Sequence, residues 1–261
     1  MNKSDIIEGL RSLGLCRGMN IIVHSSLSSL GYVEGGADTV LEALTEIITS
    51  DGTILMPSFN HNAPYDRGEM FDIRSTPSVC GAITEALRRY EGSERSMNPT
   101  HSFVAWGKNA IRYTRDHQRY DCMGENSPLH RLMQDDGYCL LLGVGYNRNT
   151  FHHCVETLEK AGCISKRGEV YPVINERGEM EHAYTWGWRG KPCPINDRTL
   201  YSAEMEKIHR RAKIGEATVT FYRLREGYEV IAKCLREGYG GNTPCPECKI
   251  LPRVCQYTVD V

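Results

Sequence analysis

The sequence predicts an α/β protein in which a sheet is flanked by helices. Three short apolar runs, at residues 21–23, 53–56 and 139–144, are bounded by glycine or polar turn residues, which is typical of strands buried on both faces. "GADTVLEALTEII" (36–48) places its apolar residues on one face of a helix, and "SVCGAITEALRRY" (78–90) repeats that pattern. Strands that alternate with helices indicate an α/β sheet.

Length and composition are those of an ordinary globular protein. With 261 residues, 40% of them hydrophobic and 25% charged, the chain can form one large domain with a substantial core. A net charge of −2, without a basic stripe, gives no reason to expect a nucleic-acid partner. The N-terminus has the pattern of an amphipathic helix and no membrane span follows, so we expect a cytoplasmic protein whose 11 cysteines are reduced.

The pattern of the chain changes after Gly168. "EVYPVIN" and "EMEHAYTW" flank the turn "NERGE", which predicts a β-hairpin. We expect one long helix over 202–237, followed by a loop-rich tail. The chain is therefore interpreted as one domain, 1–261, in which residues 168–261 form a subdomain of hairpin, long helix and cysteine-containing tail.

Two adjacent histidines follow a glycine turn in "LLLGVGYNRNTFHHCVETLEKAG". Asn149 or Thr150 can cap the helix that begins there. His152 lies four residues before Glu156 and His153 three, so either imidazole can neighbour that carboxylate. The dipole field of a helix's first turn favours the neutral imidazole that a general base needs. Periodicity does not choose between the two histidines. A surface histidine pair that makes cap or ion-pair contacts fits the same spacing.

Two more polar stretches stand beside predicted strands. "VHSSLSSLG" places His24, Ser25 and Ser26 directly after a strand, where α/β sheets bind ligands, and "RSMNPTHSF" adds Arg95 and His101. Serine hydroxyls, backbone N–H groups and an arginine can hold phosphates, although turn hydroxyls that cap the next helix explain the pattern equally well. The G-x-S-x-G, P-loop and H-E-x-x-H motifs do not occur, and a lone G-x-G is weak evidence for a dinucleotide site.

Seven stretches follow one another almost without a gap over residues 21–156. They are "VHSSLSSLG", "GGADTVLEAL", "DGTILMPSF", "FDIRSTPSVCGAITEALRR", "RSMNPTHSFVAWG", "GENSPLHRL" and "LLLGVGYNRNTFHHCVE". Together they resemble the aminoglycoside 3-N-acetyltransferase family of antibiotic acetyltransferases. The resemblance implies a central mixed sheet flanked by helices with a smaller C-terminal helical part, distinct from the common N-acetyltransferase fold. It also implies acetyl transfer from acetyl-CoA to the 3-amino group of an aminoglycoside, which gives resistance.

The same resemblance implies roles for individual residues. The family's motif N-T-x-x-H-x-x-E falls on Asn149, Thr150, His153 and Glu156. His153 is the implied general base, Glu156 would hold the imidazole or the cationic substrate, and His152 falls on a variable, usually apolar position. The coenzyme-binding residues implied are Ser25, Ser26, Leu27, Arg95, Ser96, His101, Ser102 and Phe103.

Polycationic substrates need acidic pockets, and the implied candidates are spread along the chain. They are Asp66, Glu69, Asp72, Asp121, Glu125 and Glu156. Family members carry an aspartate after the second strand of the hairpin that supports the catalytic histidine, but "YTWGWRGK" has no acid there. Glu181 upstream and Asp197 downstream are the nearest substitutes, so the acidic partner of the histidine is left open.

The tail carries a metal-binding pattern. "PCPECKILPRVC" places Cys245 and Cys248 at C-x-x-C spacing, which is half of a tetrahedral zinc site. The P-C-x-x-C form also occurs in zinc deaminases, but the H-x-E that they require is missing. A branch of the family ends in the same way, which implies a structural zinc that tethers the tail. Its ligands would be Cys193, Cys245 and Cys248, with Cys255 or His182 as the fourth; free thiols are the alternative.

Four functions are compared on these grounds. The leading one is acetyl-CoA-dependent acetylation of an aminoglycoside, and the first alternative is acetylation of a different metabolic amine on the same fold. A zinc hydrolase or deaminase, and a non-catalytic binding protein, are the others. The expected partner is a small-molecule amine, with no nucleic acid and no membrane, and the chain is expected to be a monomer or homodimer. Coenzyme binding separates the two acetyltransferases from the rest.

Overall fold

The computed structural model describes residues 1–61, 63–159, 170–184 and 201–237. Its strands are β1 (Asn20–Ser25), β2 (Thr53–Pro57), β3 (Phe71–Asp72), β4 (Glu94–Arg95), β5 (Phe103–Gly107), β6 (Tyr138–Leu142), β7 (Val170–Ile174), β8 (Met180–Tyr184), β9 (Arg210–Ile214) and β10 (Ala217–Arg223). Its helices are α1 (Lys3–Ser12), α2 (Gly36–Ile48), α3 (Ala63–Asp66), α4 (Ala82–Arg88), α5 (Ala110–Thr114), α6 (Pro128–Gln134), α7 (Phe151–Leu158), α8 (Ser202–Met205) and α9 (Leu224–Glu237).

A mixed sheet in the order β4-β5-β2-β1-β6-β10-β9 forms the centre of the fold. Strand β1 is parallel to both β2 and β6. Strand β5 runs antiparallel to β2, and β10 runs antiparallel to β6. The carboxyl ends of the three parallel strands therefore meet at one edge of the sheet. With helices packed on this sheet, the predicted α/β class is confirmed.

The three predicted buried strands are confirmed as β1, β2 and β6. Side chains alternate between the two faces of β1: Ile21 and Val23 join one core cluster, and Ile22 joins the other. Helix α2 matches its predicted bounds and buries its apolar stripe in the first of these clusters. The second predicted helix begins later than expected, at Ala82, because Gly81 before it has a φ of 99°, a conformation that favours glycine.

The long helix expected over 202–237 is wrong for residues 206–223. The chain forms only the short helix α8 there, and then strands β9 and β10, before α9 begins. In β10, Val219 and Phe221 pack in one core cluster and Tyr222 in the other, which is the period of two of a strand buried on both faces. Because β10 pairs with β6, residues 210–223 belong to the main sheet, and the wider subdomain of 168–261 stays a prediction.

The predicted hairpin is confirmed as β7 and β8, which pair antiparallel with Val173 opposite Glu181. It lies outside the main sheet and forms a small second sheet with β3, in which Phe71 lies opposite Val173. Both of these residues are fully buried, together with Ala183, in a small core of their own. The hairpin thus packs around its own apolar cluster instead of extending the main sheet.

Helix α1 confirms the amphipathic pattern at the N-terminus. Asn2 and Asp5 form a reciprocal capping box, and Ile6 and Leu10 are buried against the sheet and α2. Among the helices of the ranges described above, none combines the length and the apolar character that crossing a bilayer requires.

Candidate active site

Helix α7 begins shortly after the glycine turn that ends β6. The buried Asn149 caps it, because its Oδ1 accepts the Phe151 N–H at 3.2 Å, whereas Thr150 makes no side-chain cap bond. The Nδ2 of Asn149 also donates to the Tyr222 hydroxyl at 2.9 Å. This bond ties the first turn of α7 to strand β10, and so it orients the two histidines that follow.

The carboxylate of Glu156 lies between two imidazoles. The Nδ1 of His153 forms a hydrogen bond with its Oε2 at 2.6 Å. The Nε2 of His152 lies 2.9 Å from Oε1, which is the distance of an ion pair without the angle of a hydrogen bond. Glu156 and His152 are fully buried and His153 is 9% exposed, so a surface pair, the alternative interpretation, is wrong.

The ionisation of Glu156 decides what His153 can do. Burial raises the pKa of this carboxyl, but the adjacent imidazoles of His152 and His153 outweigh that effect and hold the pKa at about 2. The carboxylate is therefore ionised at neutral pH and accepts the Nδ1–H of His153. This tautomer leaves the lone pair on Nε2, which is the arrangement of a general base.

His153 forms part of the wall of a cavity of about 1100 Å³ at the carboxyl edge of the parallel strands. Two turns supply much of that wall: the residues after β1, and the glycine turn 143–145 after β6. This is the edge at which an open α/β sheet binds its ligands. The polar and basic side chains of the wall are His24, Ser25, Ser26, Ser28, Ser29, Tyr32, His61, Thr84, His101, Asn147, Arg148, Thr150 and His153.

Other imidazoles share this cavity with His153. The ring of His101 lies 5.3 Å from that of His61 and 4.8 Å from Phe59, and its Nδ1 bonds the Thr100 hydroxyl at 2.8 Å. Burial and the neighbouring histidines lower the pKa of His101 to about 3. Its ring is therefore neutral at physiological pH, and it offers hydrogen bonding without adding positive charge beside His153.

Comparison with known proteins identifies the family of the chain. The model of the family described as aminoglycoside 3-N-acetyltransferase matches residues 22–236. The chain belongs to this family. It is 39% identical over 255 residues to the aminoglycoside N(3')-acetyltransferase-like protein YokD of the SPbeta prophage in Bacillus subtilis strain 168, which covers 88% of this chain and 91% of that one.

One more relative and one solved structure are similar to this acetyltransferase over most of its length. It is 32% identical over 248 residues to aminoglycoside N(3)-acetyltransferase III from a Salmonella species, with 88% of this chain and 84% of the relative covered. The crystal structure of aminoglycoside acetyltransferase AAC(3)-Xa superposes with a TM-score of 0.79 at 26% identity, over 91% of this chain and 93% of the other. The fold that the motifs predict is therefore the fold of solved acetyltransferases of this family.

The predicted coenzyme-binding residues of this acetyltransferase fall into two groups. Four of them line the cavity together with His153: Ser25, Ser26, Leu27 and His101. Arg95 does not line it, because its buried guanidinium donates inward, to the carbonyl of Ser58 at 2.9 Å and to Oδ1 of Asn60 at 2.7 Å. These bonds join the chain segments behind the wall, where the cation is not accessible to a phosphate in the cavity.

Three other predicted coenzyme-binding residues lie behind the wall as well. The Ser96 hydroxyl accepts the Phe103 N–H at 2.8 Å and bonds Nδ1 of His117 at 2.8 Å. The Ser102 hydroxyl donates to the carbonyl of Ser58. Phe103 is fully buried, and its ring packs edge to face with that of Phe59, with the ring centroids 5.4 Å apart. All three side chains are fully buried in the core and do not line the cavity.

The predicted substrate-binding acids are dispersed. Asp72 pairs with Arg74 at 2.9 Å, and the exposed Glu69 pairs with Arg67 at 2.7 Å. Asp66 and Glu125 are exposed and Asp121 is half-buried. Apart from Glu156, which stands directly behind His153, the structure does not bring these acids to the cavity, and their roles in binding stay predictions.

The acidic partner of His153 is Glu156 itself. Glu181, one of the two substitutes named from the sequence, lies on β8 and accepts a hydrogen bond from Asn175 at 2.8 Å. Asp197, the other, lies outside the described residues. The described carboxylate that bonds Nδ1 of His153 is that of Glu156, three residues later on the same helix, and a contact by Asp197 stays a prediction.

The predicted zinc ligands Cys193, Cys245, Cys248 and Cys255 also lie outside the described residues. His182, named as a fourth ligand, is exposed on β8. Within the described ranges no group of three or more histidine, cysteine or acidic side chains could hold a metal ion. The zinc site therefore stays a prediction.

Sequence reasoning missed several residues of the cavity wall, among them an arginine and a tyrosine. Arg148 is exposed and, within the described part of the chain, the only lysine or arginine that lines the cavity. Tyr32 also lines it, with 82% of its surface exposed. A signal for Arg148 was present, because it follows the same glycine turn as the histidine motif, whereas Arg95 was implied by the family resemblance.

Proposed function

We propose that the chain transfers an acetyl group from acetyl-CoA to an amino group of an aminoglycoside, the 3-amino group, and so gives resistance. The observation that carries this proposal is the His153–Glu156 pair at the wall of a cavity of about 1100 Å³, which is large enough for a coenzyme and an acceptor. The names of the relatives, which are aminoglycoside N-acetyltransferases, support the same reaction.

The chemistry assigned to His153 is proton transfer during acyl transfer. As the acceptor nitrogen attacks the thioester carbonyl and the N–C bond forms, Nε2 of His153 takes a proton from that nitrogen. When the C–S bond breaks, the imidazolium returns the proton to the departing sulfur, so that amide and thiol are the products. Glu156 stabilises the imidazolium between these two steps through Nδ1 at 2.6 Å.

The side chains of the cavity wall favour a position of the coenzyme in which its phosphates lie near the turn after β6. Ser26, Ser28 and Ser29 form a chain of hydroxyls with separations of 3.2 Å and 2.8 Å, which can bond a polar chain or a phosphate. We propose that Arg148 makes the charged phosphate contact that was predicted for Arg95. A planar guanidinium suits phosphate oxygens, and the Arg148 side chain is exposed on the cavity wall.

Replacing Arg148 by alanine is expected to raise the KM for acetyl-CoA about tenfold while kcat stays within about twofold, since a charge-assisted hydrogen bond contributes about 1.5–3 kcal/mol. Steady-state kinetics with saturating acceptor measure this. Arg17→Ala is the matched control, because Arg17 is paired with Asp51 before β1, at the opposite edge of the sheet. An unchanged KM would mean that Arg148 does not contact the coenzyme.

The second candidate function is acetylation of a different amine by the same reaction. One observation favours it: among the described residues that line the cavity there is no aspartate or glutamate, which a polycation would require. The experiment that separates the two is a thiol-release assay with acetyl-CoA, in which gentamicin, apramycin, neomycin and simple amines are compared. Turnover of an aminoglycoside that His153→Ala abolishes supports the proposal; coenzyme binding without such turnover would favour the other acceptor.

We further propose that Cys193, Cys245 and Cys248 hold a structural zinc ion, with Cys255 or His182 as the fourth ligand. The C-x-x-C spacing supports it, and the exposed His182 is accessible to a ligand of this kind. Elemental analysis of the purified chain is expected to find one zinc ion, which Cys245→Ser removes and Cys16→Ser, a change of an exposed cysteine, does not. Equal zinc content in the two variants would contradict the site.

A further inference from the structure

His152 is an unusual residue to bury at its position. Its ring is fully buried and stacked on Tyr201, with the ring centroids 5.3 Å apart and the planes at 17°. Neither of its ring nitrogens has a hydrogen-bond partner of good geometry among the described residues. Burying polar nitrogens in this way costs free energy, whereas a phenylalanine or leucine would fill the space without that cost. Packing therefore does not explain the histidine.

The nearest charged neighbour of His152 does explain it. Its Nε2 lies 2.9 Å from Oε1 of Glu156, whose other oxygen bonds His153. A buried carboxylate without compensating partners is strongly unfavourable, and the described groups that lower the pKa of Glu156 are these two histidines. If His153 alone supplied the compensating proton, it would already be protonated and could not act as a base.

Among the described residues, the other ionisable groups around α7 have contacts of their own. They are His24 on β1, His101 before β5, Tyr201 before α8, Arg131 on α6 and Arg236 on α9. Arg131 donates to the backbone carbonyls of Arg112 and Arg115, and Arg236 pairs with Glu159 at 2.6 Å. His24 contacts Thr150 at 3.4 Å, and His101 is neutral at physiological pH.

We propose that His152 is a positioning residue, which binds the second carboxylate oxygen of Glu156 and thereby keeps His153 unprotonated and able to accept the proton of the substrate. The 2.9 Å between Nε2 of His152 and Oε1 of Glu156 is within the distance of a hydrogen bond. A hydrogen bond to Oε1 draws on the negative charge of Glu156 and so weakens its attraction for a proton on His153. The proposal rests on the proposed role of His153 as the base.

The test is an NMR titration of the His153 ring in protein labelled on histidine, assigned by comparison with His153→Ala. His152→Phe keeps the stack on Tyr201 and removes both nitrogens, so the midpoint of the His153 titration is expected to rise by about one pH unit. The acidic limb of the kcat/KM profile is expected to move by the same amount, with its plateau at high pH retained. A ring with only a packing role would move neither.

A second variant keeps the test decisive if His152→Phe does not fold. His152→Gln can donate an N–H to Oε1 from an amide of different shape, and the midpoint of the His153 titration in this variant is expected between those of the wild type and the phenylalanine variant. Equal midpoints in the wild type and every folded variant would overturn the proposal. Because the titration is measured without substrate, it is independent of the proposed reaction, whose own failure would appear as a wild type without acetyl transfer.

Discussion

Replacing His153 by alanine is expected to lower kcat for acetyl transfer by about 10³-fold, within the range of positioned general bases. The variant lacks the nitrogen that we propose takes the proton of the acceptor as the amide bond forms. Coenzyme binding is expected to change little, because the other described side chains of the wall remain in place. Thiol release with both substrates saturating measures kcat, and titration calorimetry measures coenzyme affinity.

His130→Ala is the matched control for this variant. His130 lies on α6, outside the cavity, where its Nδ1 accepts the Asn126 N–H at 3.0 Å, so its loss is expected to leave kcat within about twofold. Added imidazole is expected to restore part of the activity of the His153 variant, because a small base can enter the space that the ring leaves. A rate within tenfold of the wild type for His153→Ala would contradict the role of His153.

Glu156→Gln is expected to lower kcat by about 10²-fold, which is the lower end of the effect of positioned proton transfer. The substitution keeps the shape of the side chain but removes its charge. An amide can present an N–H to Nδ1 of His153, and the proton then moves to Nε2, the nitrogen that has to act as base. The imidazolium formed during the reaction also loses its counter-charge. Initial rates at saturating substrates measure the effect.

Glu159→Gln on the same helix is the control, since it removes the ion pair with Arg236 at 2.6 Å but not a contact with His153. Its kcat is expected to stay within about twofold of the wild type. A comparable loss in the two variants would mean that negative charge on α7 matters in general, and it would contradict a specific role for Glu156.

The pH dependence of folding stability independently tests the ionisation of Glu156. Its pKa in the folded chain is lowered from 4.5 to about 2, so its ionised form contributes stability that is complete above pH 4.5 and is lost as the pH falls toward 2. The glutamine variant is therefore expected to be less stable at neutral pH and to lose less stability than the wild type over that acidic range. Denaturant unfolding at a series of pH values measures this difference.

The sequence predicted best where the structure depends on neighbours along the chain. Helix α2 matches its predicted bounds, and the spacing of His153 and Glu156 placed the two side chains in contact, because residues three apart face each other on any helix. Predictions failed where pairing over long distances decided the structure. Residues 210–223 are strands because β10 pairs with β6, some 80 residues earlier, and the β-branched and aromatic residues of "ATVTFYR" suit that pairing.

The side chain that faces the cavity was likewise decided by the tertiary structure. Arg95 and Arg148 were both plausible phosphate ligands by residue type, but the first donates to carbonyls behind the wall and the second faces the cavity. A linear pattern does not contain the direction in which a loop side chain points, since packing against distant segments decides it.

The sequence by itself therefore determined the family, the alternation of strands and helices, and the histidine and glutamate that stand one helical turn apart. These depend on local periodicity and on motifs that are contiguous in the chain. Only the tertiary structure decided that His152 is buried against Tyr201 on the other oxygen of Glu156, and that the turns after β1 and β6 form one cavity wall. Both depend on where the parallel strands end in space, because their shared edge brings together turns that lie more than 100 residues apart.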